Sequence, residues 1–282
     1  MNKLDGKVVA AYLKEKNINI ISALKEKNEE ITLAIILPTN DPSSLSYLKG
    51  RIKMAEAVGI NIKTITFEDT PTQDILLEEI NKLNNDSSIT GIMVDRPFPK
   101  GINESIINNA IDPKKDVDGV HSLNAGLLAQ GAPCMIPPTA YACIQILKYY
   151  DIEIKGKNAV VVGRSASVGR PLTQLLVNEN ATITVCHSKT RDLPSVTKNA
   201  ELLCVAIGRK EMIDESYLGS NQILIDVGIH YNELGKLCGD IKESCKENSL
   251  YATPVPGGIG SITNYMLLEN LLLAKKWQME GK

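Results

Sequence analysis

The chain has 282 residues, 43% hydrophobic and 23% charged, with a formal net charge of −2 and a pI near 6.0. That length favours two domains, each able to bury its own core, and the interspersed, near-balanced charge argues against a nucleic-acid or anionic-membrane partner. No stretch approaches the roughly 18 apolar residues of a membrane span, and residues 1–10 lack the apolar run of a signal peptide, so the expectation is a cytoplasmic protein.

Along the chain, apolar runs of strand length alternate with helix-period segments at 31–37, 44–58, 60–67, 74–83 and 89–94. This alternation predicts βαβ crossovers and a parallel sheet. In the helix predicted over 44–58, Leu45, Leu48, Ile52 and Ala55 form the expected buried stripe, while Tyr47 and Arg51, four apart, share a neighbouring face. Residues 112–139 carry several Pro and Gly and no long apolar period, so they read as a loop-rich connection holding the domain boundary and a cleft. A linking helix is predicted at 141–150, and then a second α/β series. It comprises strands at Asn158–Val162, Thr182–Cys186, 202–206 and 222–227, a helix at 168–178, and a last leucine-rich helix at 265–275 that would pack back on the first domain.

Six cysteines form no C-x-x-C pattern and, without a secretion signal, read as thiols. His121, His187 and His230 lack ligand spacing, so no metal is expected.

After the strand at Asn158–Val162 comes Gly163-Arg164-Ser165-Ala166-Ser167-Val168-Gly169-Arg170-Pro171. A strand, a glycine turn and a helix N-terminus place backbone N–H groups and a positive dipole end where a phosphate can sit. The run departs from G-x-G-x-x-G, and an ordinary tight βα turn would have the same composition. At the end of the next strand, where an acid would bind the ribose 2′-hydroxyl of NAD, stand His187-Ser188-Lys189-Thr190-Arg191. Hydroxyls and cations there, with Arg164, suit the 2′-phosphate of NADP; a solvated basic loop is the plainer alternative.

These runs, with Asp116-Val117-Asp118-Gly119 and Thr253-Pro254-Val255-Pro256-Gly257-Gly258-Ile259-Gly260, closely resemble the FolD-type methylenetetrahydrofolate dehydrogenase/cyclohydrolases. The resemblance covers nearly the whole chain in order. It implies a two-domain α/β protein: a folate-binding domain over 1–139, joined by a C-terminal helix at 266–282, and a Rossmann-like NADP-binding domain over 140–265, with a cleft between them. It also implies a homodimer acting on tetrahydrofolate derivatives. NADP would take hydride from 5,10-methylenetetrahydrofolate, and water would open the methenyl product to 10-formyltetrahydrofolate.

Position by position, the resemblance makes Tyr47 the tyrosine packing on the folate and Asp118 the aspartate bonding the pterin. A carboxylate suits the paired N–H donors of an aminopyrimidine edge, although Asp118 also reads as a turn residue and Tyr47 as a half-buried helix residue. Pro256, Gly257 and Gly258 would line the substrate, and Gly257, Gly258 and Gly260 allow close approach because no Cβ intervenes. The implied cofactor set is Gly163, Arg164, Ser165, Val168, Gly169, His187, Ser188, Gly208, Ile229 and Thr263.

Two departures fall among the catalytic positions. The family's catalytic lysine, four residues after the tyrosine, is Arg51 here, and the glutamine before its Leu-Pro is Asp95, in Val94-Asp95-Arg96-Pro97. A lysine ammonium can be tuned to relay a proton, whereas a guanidinium stays charged. Lys49 lies about 200° round the helix from Tyr47 and Lys53 more than a turn along, so neither replaces the missing amine. The expectation is that Asp95 cancels the charge of Arg51, that the dehydrogenase step survives, and that cyclohydrolase activity is weak or lost. Smaller departures are Pro38-Thr39 for Val-Gly, 137–142 for Pro-Cys-Thr-Pro-Lys-Gly, and 260–263 for Gly-Pro-Met-Thr. A fully bifunctional enzyme, a catalytically silent NADP- or folate-binding subunit, and a reductase of another small cyclic imine stay open.

Overall fold

The computed structural model describes residues 2–39 and 41–281, excepting the side chains of Pro42, Ser43, Ser46 and Tyr47. In chain order the elements are β1 (Asn2–Lys3), α1 (Gly6–Lys25), β2 (Thr32–Ile36), α2 (Pro42–Val58), β3 (Asn61–Ile65), α3 (Gln73–Asn85), β4 (Gly91–Val94), α4 (Glu104–Ala110) and α5 (Ser122–Ala129). They continue with α6 (Pro138–Tyr149), β5 (Asn158–Val162), α7 (Gly169–Asn178), β6 (Thr182–Cys186), α8 (Leu193–Lys198), β7 (Leu202–Val205), β8 (Ile223–Asp226), β9 (His230–Tyr231), β10 (Leu237–Cys238), α9 (Glu243–Lys246), β11 (Tyr251–Ala252) and α10 (Thr263–Met279).

Two compact units emerge: residues 13–136 with 267–282, and residues 1–12 with 137–266. The first holds a parallel sheet ordered β3-β2-β4. Ala34 and Ile36 of β2 and Ile92 and Val94 of β4 meet Leu76, Ile80 and Leu83 of α3 and Ile107 of α4 in one core. The i, i+4, i+7 spacing on α3 is what an amphipathic helix needs to cover a sheet face. Thr72 caps its N-terminus by accepting from the Ile75 N–H, and buried Lys115 donates to the carbonyls of Leu83, Asn84 and Asp86 at its other end. Within the same unit α10 donates from Asn270 to the carbonyls of Val117 and Ile136, and Leu271 packs where a Cβ on Gly91 would collide.

The second unit holds a six-stranded sheet, β1-β11-β8-β7-β5-β6, whose pairs are all parallel. From β5 onward this is the 2-1-3-4-5 doubly wound order, whose switch point lies between β5 and β7. Strands β5, β7 and β8 are almost fully buried, which parallel strands covered on both faces require. The parallel α/β expectation therefore holds in both units.

Three features differ from the sequence expectation. Residues 112–139 contain a regular element, α5, capped by His121 Nδ1 accepting from the Leu123 N–H; its apolar positions lack a clear period, so the flanking Gly and Pro dominated the reading. The N-terminal strand β1, only two residues long, adds to the edge of the second sheet, and Gly6 N–H donates to the Gly257 carbonyl. Leu45 is 37% exposed instead of buried. At about 100° per residue, the buried stripe of α2 runs through Ser44, Leu48, Ala55 and Val58, and Leu45 sits on its rim. Arg51 falls in the middle of that stripe.

Candidate active site

In α2, Ser44 and Arg51 interrupt an otherwise apolar face, and each finds a partner just beyond the carboxyl end of β4. Ser44 Oγ donates to the Arg96 carbonyl at 2.7 Å, and Arg51 Nη1 lies 2.8 Å from Asp95 Oδ2. The two charged side chains are only 16% and 12% exposed. Asp95 is held in turn, its N–H donating to the Ile36 carbonyl and its Oδ1 accepting from the Arg96 N–H. The expected compensation of Arg51 by Asp95 is thus present as a direct ion pair. Lys49 and Lys53 both point to solvent.

Beside this pair lies a second charged group. Asp116 is buried, bridges to β4 through Ile92, and accepts from the N–H groups of Val120 and His121 and from Asn124 Nδ2. Two residues on, Asp118 is only partly buried, and Arg96 Nη1 stands 3.5 Å from its Oδ2. Burial pushes the Asp118 carboxyl above the usual carboxylate range; Arg96 and then Arg51 oppose that, and Asp95 adds to it. Arg96 Nε donates to Glu104 Oε1 at 2.8 Å, Nη2 reaches the same oxygen, and its guanidinium carbon lies 5.9 Å from the Phe98 ring centroid. Two guanidiniums and three carboxylates therefore meet at one end of the β3-β2-β4 sheet, the end at which open α/β sheets bind ligands. Of the predicted catalytic residues, Arg51, Asp95 and Asp118 come together here. The Tyr47 side chain lies outside the described residues, and Arg96 and Glu104 were not foreseen.

In the other unit, Gly163 ends β5 with φ +124°, and a Cβ there would lie 2.1 Å from the Ala206 carbonyl oxygen after β7. A Cβ on Gly169 would lie 2.2 Å from the Gly163 carbonyl oxygen. Both positions require glycine, which lets the turn close at the switch point. Ser165 Oγ accepts from the N–H groups of Val168 and Gly169, fixing the start of α7, while Arg164 and Ser165 are exposed. At the end of β6 the His187 and Thr190 backbones and the Thr190 hydroxyl close a tight turn that leaves Ser188, Lys189 and Arg191 exposed. The cradle without Cβ atoms, the helix N-terminus and the flanking hydroxyls and cations fit a phosphorylated dinucleotide.

Gly208 and Ile229 sit in the turns that follow β7 and β8. Buried Asp240 organises the first of them, accepting from the N–H groups of Ile207, Gly208 and Arg209 and pairing with His230 Nε2 at 2.8 Å. Buried Asp226 accepts from the N–H groups of Gly228, Asp240 and Ile241 and pairs with buried Lys246 at 3.0 Å. No motif or spacing singles out this layer beneath the turns. Thr263 opens α10 and donates to the Ile259 carbonyl. Pro256 follows a cis peptide bond, Gly257 has φ +101°, and a Cβ on Gly258 would strike the Pro254 carbonyl. The six cysteines are buried thiols; burial alone pushes Cys204 up to about 12 and Cys134 to about 11.

Two family models match the chain: tetrahydrofolate dehydrogenase/cyclohydrolase, catalytic domain, over residues 4–118, and the NAD(P)-binding domain of the same family over residues 137–279. A bifunctional protein FolD from Agathobacter rectalis is 45% identical over 276 residues, 98% of this chain and 99% of that one. A crystal structure of the Campylobacter jejuni bifunctional enzyme FolD superposes with TM-score 0.96 at 40% identity, covering 98% and 99% of the two chains. The Trypanosoma brucei dehydrogenase-cyclohydrolase, complexed with NADP cofactor and inhibitor, superposes with TM-score 0.91 at 30% identity, covering 98% and 97%.

Proposed function

The chain belongs to the tetrahydrofolate dehydrogenase/cyclohydrolase family, and from that premise we propose that it oxidises 5,10-methylenetetrahydrofolate with NADP while hydrolysing the methenyl product weakly or not at all. The observation that carries the second half is the Arg51–Asp95 ion pair. A cyclohydrolase needs a group that exchanges a proton with water and the folate nitrogen near neutral pH. A guanidinium does not release its proton in that range.

NADP, when bound, accepts the hydride. The residues that would hold it are the Gly163–Gly169 turn, with Arg164 and Ser188 at the 2′-phosphate. Asp118 would accept the aminopyrimidine N–H donors of the pterin and Tyr47 would cover its face. Oxidation turns the neutral methylene bridge of the substrate into a methenyl cation. A lone guanidinium at Arg51 would oppose that charge, and the Asp95 carboxylate removes the opposition. Orientation of the two bound molecules then suffices for the first step. Loss of a general acid–base accounts for about 10²–10⁴-fold in the second.

A second reading has its own support. The relatives above are named bifunctional, so a site that hydrolyses the methenyl product by another arrangement is the alternative. The two half-reactions, assayed separately with purified protein, decide between them. The proposal expects NADPH formation from methylenetetrahydrofolate with methenyl hydrolysis near the uncatalysed rate, and an Arg51→Lys, Asp95→Gln double variant that gains hydrolysis. Hydrolysis at a rate comparable to NADPH formation in the unmodified protein overturns it.

A further inference from the structure

The charged group beside the Arg51–Asp95 pair contains one residue with no role so far. Arg96 stands where the resemblance places a leucine, directly after Asp95, and it carries a full charge to the rim of the site. Its side chain is 40% exposed, yet it is restrained on three sides: Glu104 takes its Nε and Nη2, the Phe98 ring lies beneath its guanidinium carbon, and Asp118 lies beyond Nη1. Its backbone is fixed as well, the carbonyl by Ser44 and the N–H by Asp95. An exposed arginine that only solvates a surface has no need of so many restraints. The restraints aim one N–H edge at Asp118.

We infer that Arg96 is a positioning residue for folate recognition, holding the Asp118 carboxylate oriented and charged so that its remaining lone pairs meet the two N–H donors of an aminopyrimidine ring. This rests on the reading of Asp118 as the pterin acceptor. A carboxylate accepts up to about four hydrogen bonds, so one from Arg96 leaves room for two from the ring. The charge matters as much as the aim, because a protonated carboxyl would present a donor to one of the ring N–H groups. Among the described residues, charged side chains of both signs act on Asp118. Arg96 and Arg51 favour its ionised form, whereas Asp95 and Asp116, with burial, disfavour it. Arg51 is already committed to Asp95 at 2.8 Å, so Arg96 is the cation left for Asp118. Glu104, on the far side, keeps Arg96 in place.

The test is Arg96→Leu, which installs the residue the resemblance places there, with Arg96→Lys as the charge-preserving control. The KM for methylenetetrahydrofolate and for NADP is measured between pH 6 and 8.5, and tetrahydrofolate binding is followed by calorimetry. Arg96→Leu is expected to raise the folate KM several-fold, the fold-change growing toward the acid end of the range, because loss of the cation lets the Asp118 carboxyl hold its proton to higher pH. The change falls on folate KM more than on kcat, NADP KM stays at the wild-type value, and Arg96→Lys recovers most of the loss. A folate KM whose pH profile parallels that of the wild type, or an equal rise in NADP KM, overturns the inference. If Arg96→Leu does not fold, Glu104→Gln serves: loosening Arg96 should raise the folate KM in the same pH-dependent way, and no change refutes the role. Should the wild type bind tetrahydrofolate without oxidising the methylene form, the proposed activity fails, while the calorimetric pH profile of Arg96→Leu still decides the inference. Absence of any folate binding by the wild type overturns both.

Discussion

Asp95→Asn removes one charge from the active-site pair and leaves the other in place. The Arg51 and Asp95 side chains are 16% and 12% exposed and in contact at 2.8 Å, so the remaining guanidinium loses its counter-charge with little water to replace it. Unit charges about 4 Å apart interact by about 1 kcal/mol in a water-like medium and about 4 kcal/mol at an effective dielectric near 20. A site of such low exposure falls between those two limits. The methenyl cation forming beside the uncompensated guanidinium should therefore lower dehydrogenase kcat/KM by roughly 10- to 100-fold, at about 1.4 kcal/mol per factor of ten. Removing both charges, in Arg51→Met with Asp95→Asn, restores neutrality. Replacing a buried pair with neutral groups of similar volume is often nearly neutral, whereas stranding one member costs about 3–5 kcal/mol. The assay is initial-rate NADPH formation from methylenetetrahydrofolate, at a temperature where the melting curves show all variants folded. A single variant as active as the wild type, or a double variant as impaired as the single, would refute the compensation argument.

Three further outcomes follow from the geometry. Ser188→Ala and Arg164→Ala should each raise the KM for NADP about 10- to 100-fold while leaving that for NAD nearly unchanged, since a hydrogen bond to a charged group contributes about 1.5–3 kcal/mol; equal effects on both cofactors would place the 2′-phosphate elsewhere. Gly163→Ala puts a Cβ 2.1 Å from the Ala206 carbonyl at φ +124°, so the turn must shift, and both NADP affinity and the melting temperature should fall. Burial raises the Asp118 pKa in the folded protein, so its contribution to stability is full below the unfolded carboxylate value and is lost as pH rises through the folded value. Asp118→Asn escapes that loss: at pH 7 to 8 it should melt higher than the wild type, by roughly 2–4 °C for each kcal/mol relieved, the gap closing toward pH 4, while folate affinity collapses.

Local signals in the sequence carried most of the fold. Strand β5 is found where its apolar run ends in Gly163, because a buried parallel strand is a continuous apolar run with a turn at its carboxyl end, whereas β6, a largely exposed edge strand, shows as the β-branched alternation Thr-Ile-Thr-Val ahead of His187. Helix α5 was missed because eight residues with three leucines, two alanines and a glycine offer no period to read, and β1 because two residues cannot show one. The site was legible as positions and not as partnerships. Arg51 and Asp95 stood out as departures from a family pattern, and their pairing followed from charge. Placing Ser44, Leu48, Arg51, Ala55 and Val58 on one face of α2 would have put Arg51 on the sheet side from the sequence alone. The Arg96, Glu104 and Asp118 group was not legible, since an arginine followed by proline reads as a surface turn until the fold brings in a carboxylate 22 residues away.

The buried position of Arg51 also decides how the lost proton relay is to be recovered. An ammonium at position 51 has the right chemistry only if its proton can leave near neutral pH, and the neighbouring charge controls that. Beside the Asp95 carboxylate, a lysine would be held in its charged form, because an opposite charge within about 4–6 Å favours ionisation. Arg51→Lys alone should therefore keep an ion pair and gain little hydrolysis. Asp95→Gln alone should lose dehydrogenase activity for the reason given for Asp95→Asn. Only the double variant presents an amine beside a neutral amide, where burial lowers its pKa toward the working range. The gain in methenyl hydrolysis should then exceed the product of the two single effects, with a pH profile whose acidic limb belongs to the new lysine. Hydrolysis in Arg51→Lys equal to that in the double variant would mean that Asp95 does not control the charge at position 51, and that the pair is a packing contact with no hold on the chemistry.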